Sequence, residues 1–143
     1  MRQWRECKQH LLLDKQTPEQ ILKDAPACAE YLAYPAPYTY IQQLADLNLA
    51  AVWKKVESPA LFIYGTSDFL TSAAEHEYLT DMLNSFRPGT ATYVRIEGMA
   101  HGFERAASQR EDYEQHKAGT PQELHAQVFD EILRWLTAAA GRS

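Results

Sequence analysis

The chain has 143 residues, 45% of them hydrophobic, and a net charge of −5 at pH 7. This length suits one ordinary domain, and the acidic balance disfavours a nucleic-acid-binding surface because the densest basic feature is only Lys54-Lys55. No run of about 18 apolar residues is present, so the sequence predicts no membrane-spanning helix. The polar N-terminus does not resemble a signal peptide, and we expect a cytoplasmic protein by default.

The first fifty residues are expected to form helices interrupted by proline. Thr-Pro-Glu-Gln at residues 17–20 predicts a helix start, with the threonine as N-cap and the proline at the first helical position. A tyrosine-rich segment, residues 31–40, cannot continue a helix through Pro35 and Pro37. Its tyrosines either line a pocket mouth or pack onto their own domain. Helical spacing returns at residues 41–53.

Neither a metal nor a cofactor is expected. Cys7 and Cys28 have neither CxxC nor zinc-ligand spacing, and two isolated cysteines of this kind are expected to be reduced thiols. No two of the five histidines make a metal pair with a carboxylate at ligand spacing. The six glycines are scattered and form no phosphate-binding loop.

From residue 57 the pattern changes to strand, helix, strand, helix. Residues 60–64 form an apolar run without polar alternation, which is typical of a strand buried on both faces of a parallel sheet. Residues 92–96 predict the second strand. This alternation indicates the α/β class, with two parallel strands as a piece of a doubly wound sheet. Two strands are too few for a stable open sheet, so either the N-terminal helices or another chain covers them, or the sequence is part of something larger.

The helices of this region have recognisable start signals. Thr71 or Ser72 is expected to cap a helix over residues 73–86. Thr-Pro-Gln-Glu at residues 120–123 predicts the start of a final helix, which carries an apolar face to about residue 138. The polar residues 106–120 are expected to be partly ordered.

Two titratable side chains follow the two predicted strands. Asp68 comes just after the first strand and His101 just after the second. A carboxylate in this place can accept a hydrogen bond from Nδ1–H of an imidazole and stabilise the imidazolium, so that the histidine serves as a general base. Considered singly, Asp68 also fits a turn aspartate and His101 a surface or core histidine. Their order at successive strand ends favours a catalytic pair.

The same stretches resemble a known family. They are residues 59–68 (Pro-Ala-Leu-Phe-Ile-Tyr-Gly-Thr-Ser-Asp), 87–89 (Arg-Pro-Gly), 96–103 (Ile-Glu-Gly-Met-Ala-His-Gly-Phe) and 132–136 (Ile-Leu-Arg-Trp-Leu). Together they resemble the C-terminal half of an α/β-hydrolase, in the branch of esterases and of serine-aminopeptidase-like or prolyl-oligopeptidase-like enzymes. The resemblance implies that Asp68 is the triad acid and His101 the triad base. It also implies that residues 52–143 are the hydrolase portion and residues 1–51 a helical cap or lid.

The family's nucleophile is missing from the sequence. Members carry serine on a Gly-x-Ser-x-Gly elbow before the acid and the base, and this chain has no such elbow. We therefore expect the chain to be inactive alone and to supply its acid and base to an N-terminal hydrolase half. The complete assembly would hydrolyse a small ester, thioester or amide, with no nucleic-acid or membrane partner.

A non-catalytic interaction module is the alternative. A half-sheet exposes strand edges that pair readily with another chain. Two copies could then join strand to strand as a homodimer, or the chain could dock onto an intact hydrolase. A third possibility is a decayed hydrolase remnant in which Asp68 and His101 are left over.

Overall fold

The computed structural model describes residues 2–141, and the chain divides into two compact units, Met1–Val52 and Trp53–Ser143. The class is mixed α/β, with helices in both units and a two-stranded parallel sheet in the second. The helices are α1 (Arg2–Leu12), α2 (Pro18–Asp24), α3 (Ala29–Leu32), α4 (Tyr38–Asp46), α5 (Leu49–Trp53), α6 (Ala73–Phe86), α7 (Gln109–Ala118) and α8 (Ala126–Ala140), and the strands are β1 (Ala60–Gly65) and β2 (Ala91–Ile96). None of the helices within residues 2–141 combines the length and apolarity that crossing a bilayer requires.

The first unit confirms the predicted start of α2. The Thr17 side chain accepts from the backbone N–H of Gln20, and the Gln20 side chain accepts from that of Thr17, which is a complete capping box. The helix break at Pro35 and Pro37 is also confirmed, although α4 already resumes at Tyr38.

The two cysteines form a disulfide, so the prediction of reduced thiols is wrong. Cys7 on α1 is joined to Cys28, which ends a short 3-10 turn before α3, with their Cα atoms 5.6 Å apart. Both are almost completely buried, and with Leu11 and Ile21 they form the core of the first unit. No local sequence motif indicates this bond, because the two cysteines are 21 positions apart. The packing of α1 against the 3-10 turn and α3 brings their side chains together.

The two strands pair in parallel, as expected. Ala60 lies opposite Ala91, and the register runs to Gly65 opposite Ile96. On one face, the ring of Tyr64 packs against His76 of α6. On the other, Ile96 joins Val128 of α8 in a second buried cluster. Burial on both faces is only partial, because full burial in β1 is limited to its last two residues.

The predicted start of the last helix at residue 120 is wrong, since α8 begins at Ala126. The preceding residues are held in extended pairing with the segment after β2. The Arg105 N–H donates to the Glu123 carbonyl at 2.8 Å, and the His125 N–H donates to the Phe103 carbonyl at 2.7 Å. These bonds hold the backbone outside the helix. Residues 109–118, expected to be partly ordered, form the regular helix α7, capped by Ser108.

Candidate functional site

The end of β1 touches the loop after β2 at Gly65, which brings the two predicted site residues together. A Cβ atom at position 65 would lie 2.1 Å from the carbonyl oxygen of Met99, a distance that no side chain tolerates. Two residues further along, the Ser67 N–H donates to the same Met99 carbonyl at 3.0 Å. Glycine is therefore required for the loop carrying Asp68 to lie directly against the loop carrying His101.

The Asp68 carboxylate uses its two oxygens for different tasks. Oδ1 accepts from the backbone N–H groups of Leu70 at 2.7 Å and Thr71 at 3.0 Å, which closes a turn before α6. Oδ2 accepts from the Thr71 hydroxyl and from Nδ1–H of His101, the latter at 2.9 Å. The turn role and the histidine-binding role, which the sequence left as alternatives, are thus both present.

The surroundings of Asp68 favour its ionised form. The residue is only 4% exposed, and burial by itself acts to raise the pKa of the carboxyl. The hydrogen bonds from Thr71 and His101, with those from the backbone of Thr71 and Leu70, outweigh burial and hold the pKa of Asp68 below its usual value. A fixed negative charge therefore faces His101.

The His101 ring is held on one side and open on the other. Because an ionised carboxylate only accepts, Nδ1 must carry the proton in the bond to Asp68. The side chain is 50% exposed, and within residues 2–141 no hydrogen bond engages Nε2. An imidazole oriented in this way presents the Nε2 lone pair outward as a base.

Backbone bonds and a strained residue shape the histidine loop. Gly98 has φ +69° and donates its N–H to the Thr66 side chain at 2.9 Å. Phe103 has φ 71°, an unusual value for a bulky residue. The bond from the His125 N–H to the Phe103 carbonyl helps to hold this conformation. Strain of this kind persists only where the surrounding structure enforces it.

Helix α7 supports the acid turn from outside. Its buried Asp112 accepts from the backbone N–H of Phe69 at 3.3 Å. The Phe69 ring packs against Tyr113 and His116, with ring centroids 5.5 and 5.6 Å away. The sequence analysis missed this support, because Asp112 lies in a polar stretch that was expected to be only partly ordered. Thr71 could have been found from its position three residues after Asp68.

No serine hydroxyl within residues 2–141 forms a hydrogen bond with His101. Ser67 is only 2% exposed, and its hydroxyl donates to the Ala106 carbonyl at 2.6 Å. Ser72 and Ser108 cap α6 and α7. The acid and the base are therefore assembled without a nucleophile from this part of the chain.

An apolar groove lies on the sheet face that α8 packs against. Its volume is about 390 Å³, and Phe103, two residues beyond His101, forms part of its wall. The other lining residues are Leu61, Ile63, Ile132 and Trp135.

The chain matches no protein-family model, no curated protein and no solved structure. The arrangement of Asp68 and His101 is therefore the ground on which a function is proposed.

Proposed function

We propose that this chain is the acid and base portion of an α/β-hydrolase, with the catalytic serine supplied from outside these 143 residues. The observation that carries the proposal is the 2.9 Å bond between Asp68 and His101 at the ends of two adjacent parallel strands. The outward Nε2 of His101 is the second requirement of a general base. The sequence resemblance to esterases and related serine hydrolases points to the same chemistry.

The proposed reaction is acyl transfer to the supplied serine. Nε2 of His101 accepts the serine proton while the serine oxygen bonds to the carbonyl carbon of an ester, thioester or amide. The imidazolium then gives this proton to the leaving alkoxide, thiolate or amine as the bond to carbon breaks. Water, activated by the same Nε2, releases the acid product and restores the serine. Asp68 stays ionised throughout and stabilises the imidazolium.

The free edge of β1 supports the idea that further strands complete the sheet. The Ala60 N–H donates to the Thr90 carbonyl at 2.9 Å, and the Thr66 N–H donates to the Ile96 carbonyl at 3.0 Å. Because alternate residues of a parallel strand point to opposite edges, the backbone groups of Leu61 and Ile63 point away from β2. A further strand of the sheet fits at that edge. In the proposal this strand belongs to the N-terminal hydrolase half, which carries the serine. Residues 1–51 correspond to the cap.

Fluorophosphonate labelling tests the proposal. We expect no covalent label on the isolated 143-residue chain, because it lacks an activated serine. In protein recovered from cells that express the chain, we expect a label on a serine of a bound or covalently continuous polypeptide. His101→Ala should slow that labelling by about 10³-fold or more. Labelling of the isolated chain, or equal labelling with and without His101, would contradict the proposal.

A homodimerisation module is the second candidate function, and helix α8 is the observation that favours it. Beyond the side packed on the sheet, α8 exposes three large apolar side chains at helical spacing: Phe129, Leu133 and Leu136, which are 50%, 63% and 50% exposed. This apolar face and the free edge of β1 belong to the same unit. A second copy would bury both features.

A further inference from the structure

We infer that the first unit folds only when the Cys7–Cys28 disulfide is formed, and that the protein therefore works in an oxidising compartment. This inference concerns the helical unit and does not depend on the catalytic proposal. It also differs from the cytoplasmic location expected by default from the sequence.

The core of the first unit is very small. Its fully buried side chains within residues 2–52 are those of Cys7, Leu11, Ile21 and Cys28, so the disulfide makes up half of that core. A unit of about 50 residues seldom buries enough apolar surface to fold alone and commonly needs a cross-link. A layer of partly buried side chains packs around this core, namely Leu12, Leu22, Ala25, Tyr31, Leu32, Tyr38 and Ile41. Other large hydrophobic side chains of the unit are exposed, including Trp4, Leu13, Tyr34, Tyr40, Leu44, Leu47 and Leu49.

The cross-link reinforces the place where α1 packs against the 3-10 turn and α3. It connects α1 to the 3-10 turn that precedes α3, over a sequence separation of 21 that spans all of α2. α3 has only four residues, and neither it nor the 3-10 turn has a side-chain cap. Short uncapped turns of this kind are unstable alone, so their position depends on the packing against α1 and α2 and on the attachment at Cys28.

Burial explains why the bond belongs to the folded structure. Cys7 and Cys28 are 1% and 3% exposed, so an attacking thiolate must wait for the unit to open. A dithiol reductant then gives two electrons and two protons, breaks the S–S bond to two S–H groups and closes its own disulfide. Reduction thus replaces the cross-link with two buried thiols. Without the cross-link the unfolded unit regains conformational entropy, and the folded unit loses the stability that the bond contributed. Structural bonds of this type persist in oxidising compartments.

Limited proteolysis of the full chain, with and without dithiothreitol, tests the inference. Fragments identified by mass spectrometry show where cutting occurs. We expect reduction to speed cleavage at Arg5, Lys8 and Lys15 by at least about tenfold, as for an opened unit, and to leave cleavage beyond residue 53 unchanged. Equal resistance of the first unit in both forms would overturn the inference.

Two variants separate the cross-link from the chemistry of the side chains. Cys7→Ala/Cys28→Val keeps the core apolar without a bond, and we expect it to be cut as fast as the reduced wild type and to ignore dithiothreitol. Cleavage as slow as that of the oxidised wild type would show that the bond is dispensable.

The compartment is tested by alkylating thiols immediately on lysis of cells that express the chain. Because Cys7 and Cys28 are buried, the alkylation is done in denaturant, which exposes any free thiol. We expect the chain to add no alkyl group before reduction and two afterwards. Folded protein with both thiols free in those cells would overturn the assignment.

Discussion

The Asp68 carboxylate both closes the turn before α6 and places a negative charge next to His101. Its Oδ1 is held by two backbone N–H groups, and its Oδ2 is held by Thr71 and His101. The two oxygen positions therefore have different partners, and both sets of bonds hold the plane of the carboxylate in place. This fixed orientation determines which nitrogen of His101 carries the proton.

Asp68→Asn is expected to reverse the tautomer of His101. The amide oxygen should take the Oδ1 place, where only donors are present, and the NH₂ group then faces Nδ1 of the histidine. Because that group donates, the neutral ring should keep its proton on Nε2 and lose its outward base. ¹⁵N chemical shifts of the imidazole measure this change. His76, whose Nδ1 faces the Ser72 carbonyl at 2.9 Å, is the control that should stay the same. An unchanged pattern at His101 would show that the pair is absent in solution.

Asp68 should also make stability depend on pH. Its pKa in the folded chain lies below the unfolded value of about 3.9, so the ionised carboxylate stabilises the fold above that pH. The contribution is lost as the pH falls through the folded pKa. Urea unfolding should show Asp68→Asn less stable than wild type by about 1–3 kcal/mol near neutral pH, with the difference shrinking below about pH 4.

Asp130→Asn is the matched control for this titration, because Asp130 is exposed on α8. We expect it to change the free energy of unfolding by less than about 0.5 kcal/mol at any pH. A pH-independent difference for Asp68→Asn would mean that its cost comes from lost packing and not from the charge.

At the scale of elements, two similar start signals had different outcomes. Thr-Pro-Glu-Gln at residues 17–20 starts α2, whereas Thr-Pro-Gln-Glu at residues 120–123 starts no helix. The difference is tertiary, because Leu124 pairs with Glu104 and keeps the second segment extended. Local capping chemistry can be recognised in a sequence, but competition from a distant strand-like segment cannot.

The strand ends were predictable for a related reason. An apolar run followed by glycine and a titratable residue is a local pattern, and parallel pairing then places Asp68 and His101 at one edge. Asp112 was not predictable, since its bond to Phe69 depends on where α7 lies. The disulfide had no local signal for the same reason.

Gly65→Ala tests the contact between the two strand-end loops. The added methyl would collide with the Met99 backbone, which cannot move away as a flexible side chain could. We expect a loss of about 1–3 kcal/mol in the free energy of unfolding. The same variant should weaken the His101 Nδ1–H signal that reports the bond to Asp68 in proton NMR spectra. Gly141→Ala, whose methyl would meet only ordinary contacts at 3.7 Å and beyond, is the control. A stable Gly65→Ala chain that keeps the signal would contradict the close approach.

At the scale of the whole molecule, the second unit presents surfaces that another polypeptide would cover. Within residues 2–141 the sheet has two strands, which leaves β1 with an unpaired edge, and α8 has a wider apolar arc than the sheet covers. Exposed strand edges and apolar helix faces are both sites of association. Either the rest of a hydrolase sheet or a second copy would cover them, and the two cases differ in the mass of the isolated chain.

Leu133→Glu distinguishes these cases. Leu133 is 63% exposed, so the substitution should change the free energy of unfolding by less than about 0.5 kcal/mol while removing the centre of the apolar face of α8. If the face awaits a hydrolase half, light scattering of the wild type should show a mass that rises gradually with concentration from 16.3 kDa, and the variant should stay at 16.3 kDa. A single mass of twice that value at all concentrations, reduced to 16.3 kDa by Leu133→Glu, would instead favour the homodimer.

Gln127→Glu adds the same charge on the opposite side of α8 and should behave as wild type in either case. Association that Leu133→Glu leaves unchanged would show that α8 is not the contact surface.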